Sequence, residues 1–349
     1  MENNDSKPRR RVRYKGTHPK AFHEKYKELQ PGRYADDIQK IIQKGNTPAG
    51  MHRSICVNEI LEILKLHPGN VGLDATLGYG GHSAEILKRL SPNGKLYAID
   101  ADPIELPRTT ERLRALGYDQ NIFDMRHLNF ADIDEIIAET GPLDFILADL
   151  GLSSMQIDNP ERGFSLKADG PLDLRLNPHW GKPASQLIKN ISHDDLETLF
   201  IENADEPYAG IIAEAIVSAI RQGRKIDTTF HLKEIIKDTL DFLPQTEKIE
   251  TVRKSCQRCF QAIRIEVNKE FEVLDRFLSK LPESLKEGGR IAILTFHSGE
   301  DRRVKKAFQL FFREGIFIEI AKEPMRPSLQ EVGSNPRARS AKLRWAIKA

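Results

Sequence analysis

Val71-Gly-Leu-Asp-Ala-Thr-Leu-Gly-Tyr-Gly-Gly-His-Ser83 is the stretch whose reading decides the fold. An apolar run, Val71–Ala75, feeds a glycine-rich turn, and an amphipathic run, Ser83–Leu90, follows it. This is the pattern of a strand, a tight turn and a helix. Glycine permits backbone conformations closed to other residues and lets a ligand approach the main chain. The helix beyond presents free N–H groups at the turn. The next apolar run, Lys95–Ile99, ends in Asp100. An acid about 20 residues past such glycines, at the end of the second strand, is where an α/β nucleotide site holds ribose hydroxyls. A plain βαβ unit with a capped turn would share the glycines but has no need of the acid.

The spacing Asp74-x-Thr-x-Gly-x-Gly-Gly is neither the dinucleotide pattern G-x-G-x-x-G nor the triphosphate pattern G-x-x-x-x-G-K-[ST]. That argues against NAD and ATP and leaves an adenosyl ligand without a phosphate chain, of which S-adenosylmethionine is the commonest.

Outward from this stretch the alternation continues. Met125–Leu128 and Leu143–Leu150 read as further strands and Asp132–Glu139 as a helix. Strands alternating with helices predict βαβ units and a mostly parallel sheet. From about 159 to 254 the rhythm breaks into helices (Asp194–Asn203, Tyr208–Gln222, Thr229–Leu240) with little strand signal. A long helix, Cys256–Leu281, then leads through Gly288-Gly289 to an apolar strand, Arg290–Phe296. The economical organisation is a discontinuous sheet domain, 51–158 plus 255–349. A helical insertion, 159–254, interrupts it, and a basic extension over 1–50 is weakly helical around Pro19–Leu29 and Tyr34–Lys44.

In an open α/β sheet, ligands collect beyond the carboxyl ends of the strands. The fourth strand ends in Asp149-Leu-Gly-Leu-Ser-Ser-Met-Gln156, which brings Asp149, Ser153, Ser154 and Gln156 towards the glycine turn. Such groups suit methylation of a base amino group, whose lone pair is delocalised into the ring. Acceptors on its N–H groups favour the charge that develops on nitrogen, and one acceptor can take the released proton. The last strand runs into Thr295-Phe-His297-Ser-Gly-Glu300-Asp301-Arg302 on the same edge, where His297 could orient substrate. Glu300 and Asp301 read rather as first-turn acids stabilising a helix dipole.

The 349 residues carry a net charge of +2, with 39% hydrophobic and 30% charged residues, a composition that reads as soluble and globular. No apolar run approaches the roughly 20 residues of a membrane span, so no membrane partner is expected. The polar, basic start has no apolar segment of the secretory kind. Three cysteines are too few for a disulfide framework, which makes a reducing cytoplasm the expected setting. Cys256-Gln-Arg-Cys259 has half of a zinc spacing without a second pair, so no metal is expected. Charge is concentrated at Lys7–Lys27, with nine lysines and arginines against Glu24, and at Arg337–Lys348. Two basic ends on a nearly neutral chain suit phosphate contacts, although solubilising tails would look the same.

Taken together, these stretches resemble the bacterial ribosomal-RNA small-subunit methyltransferase H family, also called MraW. The likeness is carried by His52-Arg-Ser-Ile-Cys-Val-Asn-Glu59, the Gly-Tyr-Gly-Gly-His-Ser turn and Asp149-Leu-Gly-Leu-Ser-Ser-Met-Gln-Ile-Asp158. Arg162-Gly-Phe-Ser, Asp169-Gly-Pro-Leu-Asp-Leu-Arg175, Phe260-Gln-Ala-Ile-Arg-Ile-Glu-Val-Asn268, Phe296-His-Ser-x-Glu-Asp-Arg302 and Asn335-Pro-Arg-Ala-Arg-Ser340 continue it in order. The resemblance implies a class I S-adenosylmethionine-dependent methyltransferase fold. It also implies methylation of the exocyclic N4 of a cytosine in 16S ribosomal RNA, free or within the small ribosomal subunit. Cofactor contacts would fall on Gly80, Gly81, His82, Asp100, Phe130, Asp149 and Gln156.

The chain departs from the family pattern with Lys254-Ser-Cys-Gln-Arg258 in place of His-Pro-Ala-Thr-Arg, with Gly299 in place of Leu, and with a longer basic leader. These changes keep a different RNA position open as the target. A DNA base is disfavoured, since the Asp/Ser-Pro-Pro-Tyr/Phe loop of DNA amino methyltransferases is missing. A non-catalytic RNA-binding assembly factor with a vestigial site is the rival of another class, and cofactor binding would discriminate it.

Overall fold

The computed structural model describes residues 54–349; the leader, with its two weakly helical stretches, and His52 and Arg53 lie outside the described residues. The chain opens with helix α1 (Val57–Leu64) and then alternates strand and helix. The order is β1 (Val71–Asp74), α2 (Gly81–Leu90), β2 (Lys95–Asp100), α3 (Glu105–Ala115), β3 (Phe123–His127), α4 (Asp134–Thr140) and β4 (Leu143–Asp149). A short helix α5 (Ser154–Asp158) precedes the helices α6 (Ala184–Asn190), α7 (His193–Ala204), α8 (Ala209–Arg221) and α9 (Thr229–Thr239). Then come α10 (Gln245–Asn268), α11 (Glu270–Ser284), β5 (Leu285–Thr295), α12 (Ser298–Arg313), β6 (Phe317–Ile320), α13 (Leu329–Ser334) and β7 (Lys342–Lys348).

The seven strands form one sheet in the order β3-β2-β1-β4-β5-β7-β6. β1 to β5 pair in parallel, while β7 runs antiparallel to both β5 and β6. This mostly parallel sheet is the one the alternation of strands and helices predicts. Its strands are nearly continuous apolar runs because both faces are covered, as parallel sheets require. Successive residues point to opposite faces. Leu96, Ala98, Phe145, Leu147, Ala292 and Leu294 join one buried cluster with α1 and α2. Tyr97, Ile99, Ile146, Ala148, Ile291 and Ile293 join the other with α11 and α12.

A third cluster is built by the helices α6 to α10, around Phe200, Ile212, Ile216, Leu232 and Ile236. α10 crosses residue 254, and its Cys256, Cys259, Phe260 and Ile263 face this cluster, so the helix starts in the insertion and delivers the chain back to the sheet.

The single helix expected over Cys256–Leu281 is two. α10 stops where Lys269 takes a left-handed conformation, φ 51°, and α11 restarts immediately. The break redirects the chain from the insertion onto the sheet. Helix α3, with Pro107 in its first turn, has no counterpart in the sequence reading. Phe130 follows β3 and opens a 3-10 turn, Phe130–Asp132, capped by the Asn129 side chain.

Candidate active site at the carboxyl edge of the sheet

Four acids gather where β1, β2 and β4 end. Asp74 is 1% exposed, and its Oδ2 accepts a 2.6 Å hydrogen bond from Ser83 Oγ on α2. Its Oδ1 accepts from the Thr76 N–H at 3.1 Å. Burial raises its carboxyl above the ordinary range, and Ser83, His82 and Thr76 only partly offset this. Asp100 braces the turn, accepting from Gly78 N–H at 2.7 Å through Oδ2 and from Asp102 N–H at 2.8 Å through Oδ1. Burial pushes it up to about 6 against those two N–H donors.

The glycine turn is held from the side by α3. Thr109 Oγ1 donates to Gly78 O at 2.7 Å, and the Arg112 guanidinium lies 3.5 Å over the Tyr79 ring. Gly80 sits at φ 75°, where a Cβ is strained and would stand 2.8 Å from Thr109 Cγ2. Gly80→Ala is therefore expected to cost about 1–2 kcal/mol, the left-handed penalty for an L side chain, in urea unfolding. Unchanged stability would contradict this account of the turn. Gly81 is closed differently, since a Cβ there would meet Ser54 Oγ at 2.0 Å.

Asp149 ends β4. Its backbone N–H donates to Thr76 Oγ1 at 2.6 Å, and its Oδ2 lies 3.5 Å from His82 Nδ1. Its Oδ1 is buried with no hydrogen-bond partner among the described residues. Burial pushes this carboxyl up to about 6; His82 opposes the rise, and the Asp74 and Glu300 charges add to it. Ser153 caps α5, accepting from Gln156 N–H at 3.2 Å, while Gln156 Oε1 accepts from Ser153 N–H at 2.8 Å, the reciprocal capping box. Ser154 is the first residue of that helix and half-buried.

Gln156 is 7% exposed, and its Nε2 donates to Asp102 Oδ2 at 2.7 Å. That same oxygen accepts from Arg162 Nη1 at 2.7 Å, with both side chains under 7% exposed. Arg162 also donates to the Arg175 and Leu176 carbonyls. Gln156 thus acts through a buried Asp102–Arg162 pair that fastens the chain entering the insertion. Neither Asp102 nor Arg162 stood out in the sequence as part of the site. Their pairing spans 60 residues and leaves no local trace. Asp74 was visible only as part of the glycine spacing. Phe130 is half-buried and meets the Phe277 ring edge-on at 5.2 Å.

Across the edge, His297 precedes α12, with Nε2 3.1 Å from Glu300 Oε1, although among the described residues neither ring nitrogen completes a hydrogen bond. Burial raises Glu300, but His297, the Phe296 N–H and Arg264 outweigh it and hold the carboxyl below its ordinary value. Glu270, His297 and Glu300 can bring ligand atoms within 4.8 Å of one another. Arg264 already grips Glu270 through two bonds of 2.8 and 2.9 Å, so the charges there are paired by protein groups. Glu300 is therefore more than a first-turn acid.

Gly299 stands where a Cβ would lie 2.5 Å from Phe271 Cζ; the Phe271 ring occupies the space a leucine would need. In the Lys254–Arg258 segment, Ser255 Oγ donates to the buried Glu206 at 2.9 Å. Cys256 and Cys259 are buried, and burial raises both thiols, Cys256 to about 11.

Three of the five cations of the basic carboxyl end are paired with acids of the fold, whereas Arg339 is exposed. Arg344 is 3% exposed and bonded to Asp301 at 2.6 Å, Lys342 reaches the same acid at 2.9 Å, and Arg337 pairs with Asp158 at 2.7 Å. β7 turns Arg344 inward, and Asp301 neutralises Arg344 and Lys342, while Asp158 takes Arg337. Among the described residues, no helix is long and apolar enough to cross a membrane.

The model of the MraW methylase family matches residues 49–349. The chain belongs to the MraW methylase family. As a member of it, the chain is a methyltransferase that takes its methyl group from S-adenosylmethionine. The chain is 64% identical over 349 residues to the ribosomal RNA small subunit methyltransferase H 2 of Alkaliphilus metalliredigens, covering 100% of each chain. It is 58% identical to the H 1 protein of Lachnoclostridium phytofermentans, covering 100% of this chain and 95% of that one. The MraW relative from Thioalkalivibrio sulfidiphilus, named ribosomal RNA small subunit methyltransferase H, is 37% identical and matches 86% of this chain against 98% of its own.

Proposed function

We propose that this methyltransferase modifies the exocyclic N4 of a cytosine in small-subunit ribosomal RNA, with Asp149 receiving the amine proton. The observation that carries the reading is Asp149 Oδ1, a buried acceptor at the end of β4 with no hydrogen-bond partner among the described residues. A base amine donates two hydrogens and needs such acceptors as nitrogen attacks. The relatives' names, which specify small-subunit ribosomal RNA, support the substrate.

The residues at this edge suit an adenosyl ligand. Asp100 offers a carboxylate to a ribose diol, and the turn Gly80–Gly81–His82 opens main-chain N–H groups at the start of α2. Phe130 offers a half-buried ring for the adenine, and Gln156 supports this side through Asp102. When bound, S-adenosylmethionine supplies an already activated methyl group, so the protein's task is alignment and proton acceptance. Ser153 and Ser154 would border the target amine and His297 would orient the base. The target would have to be unstacked to reach them, as in other base-modifying enzymes. The helical unit around Phe200 and Ile216 and the basic leader would hold the RNA. Small subunits in the cytoplasm supply that substrate.

The test is transfer from methyl-labelled S-adenosylmethionine to purified small subunits and to free small-subunit RNA, followed by digestion and mass spectrometry of the nucleosides. Labelled N4-methylcytidine is expected. Label on a different nucleoside would overturn the cytosine assignment.

A further inference from the structure

We infer that His82 is a positioning residue that shares, through Nδ1, the proton Asp149 takes from the target amine. The inference rests on the reading of Asp149 as proton acceptor.

The geometry begins with the backbone. His82 is 6% exposed, and its Nε2 lies 3.0 Å from the Ile55 carbonyl. A carbonyl oxygen can only accept, so Nε2 carries the hydrogen and the neutral ring keeps its lone pair on Nδ1. That lone pair faces Asp149 Oδ2 at 3.5 Å. A lone pair against an ionised carboxylate is repulsive, and the contact becomes attractive once a proton lies between them. Catalytic contacts of this length tighten in the Michaelis or transition-state complex. Asp149 therefore has two unlike oxygens, Oδ1 buried without a hydrogen-bond partner among the described residues and Oδ2 turned to imidazole.

The proton balance follows. As the nitrogen–carbon bond forms, the donor's sulfur–carbon bond would break with its pair left on sulfur, while the N–H electron pair stays on nitrogen and the proton moves to Asp149 Oδ1. Transfer from Oδ2 to His82 Nδ1 then leaves a carboxylate beside an imidazolium. The Ile55 carbonyl holds Nε2, so the imidazole stores the proton and returns it by way of Asp149.

Other groups around the pair are Asp74 from β1, Glu300 from α12 and the Cys56 thiol before α1. Asp74 and Glu300 strengthen proton binding by Asp149, whereas His82 opposes it once its ring carries the proton. Burial raises the Cys56 thiol to about 12, which keeps it neutral. When the pair holds its proton on Nδ1, the imidazolium is an opposite charge that at this range lowers the carboxyl by about 1–3 units, so Asp149 stays an acceptor to lower pH. Without His82 the acid limb of turnover should therefore move to higher pH. A two-unit rise from about 6 would cost roughly tenfold in turnover at pH 7, recovered at alkaline pH.

The direct test is nitrogen-15 NMR of the imidazoles in the full-length protein. The His82 signals are assigned by their loss in His82→Gln. Protonated Nε2 is expected, with an Nδ1 resonance intermediate between bare and protonated nitrogen. In Asp149→Asn that resonance should move to the bare position. A bare Nε2, or an Nδ1 signal indifferent to Asp149→Asn, would overturn the inference. This readout needs neither RNA nor methyl donor, so it fails or succeeds separately from the proposed function. The kinetic arm compares pH profiles of wild type and His82→Gln at saturating donor. An acid limb shifted upward supports the sharing, and a loss of kcat that is constant with pH contradicts it.

Discussion

Asp149→Asn is expected to lower methyl transfer roughly a hundred- to ten-thousand-fold, the span of general acid–base contributions, while leaving the protein folded. The substitution keeps size and shape, and the backbone bond from residue 149 to Thr76 Oγ1 does not depend on the side chain. Stability should hold or rise. A carboxyl raised in the folded state to about 6 binds its proton more tightly than in the unfolded chain. That binding makes folding less favourable as pH climbs from about 4 to about 6, at an eventual cost of order 2 kcal/mol. The neutral amide does not incur that cost. In the wild type, turnover should fall as pH drops through about 6, where Asp149 ceases to be an acceptor. Urea unfolding and single-turnover kinetics on the same preparation separate the two effects. A variant with wild-type turnover would remove Asp149 from the chemistry.

Asp102→Ala should produce the largest loss of stability, about 3–5 kcal/mol, the usual result of leaving one member of a buried ion pair alone. Arg162 would keep its charge at 5% exposure, and Gln156 Nε2 and the Ile104 N–H would lose an acceptor. The same pair ties β2 to the chain entering the insertion through the Arg175 and Leu176 carbonyls. Urea unfolding measures the cost, and a change below 1 kcal/mol would mean that Arg162 finds another partner or water. Removing both charges with Asp102→Ala and Arg162→Leu together should recover part of the loss, because no unpaired ion is left behind.

How far the sequence could be read follows from what is local. The strands around Val71 and Leu143, the glycine turn and the acids Asp100 and Asp149 were legible because periodicity and strand-end chemistry are written in adjacent residues. Helix α3 was hidden by Pro107 and by the Asp102-Pro103 that precedes it, which read as a loop. The break at Lys269 was hidden because apolar spacing continues through it; only a left-handed backbone, not a breaker residue, divides α10 from α11. Charge at the carboxyl end was visible but its partners were not. Arg344 and Asp301 are 43 positions apart, and only the register of β7 on β5 brings them together. The same holds for Asp102 with Arg162 and for Glu270 with His297. The Asp149 side chain was legible as an acid at a strand end, whereas its unpartnered Oδ1 belongs to the folded edge alone.

The most direct measurement is mass spectrometry of ribosomal RNA nucleosides from a host strain lacking its own enzymes of this family. That strain would be complemented with this chain or with its Asp149→Asn variant. An amino-methylated cytidine in the small-subunit RNA, restored by the wild-type chain and not by the variant, is the expected result. Restoration by the variant, or a methyl group on another nucleoside while cytidine stays unmodified, would contradict the account.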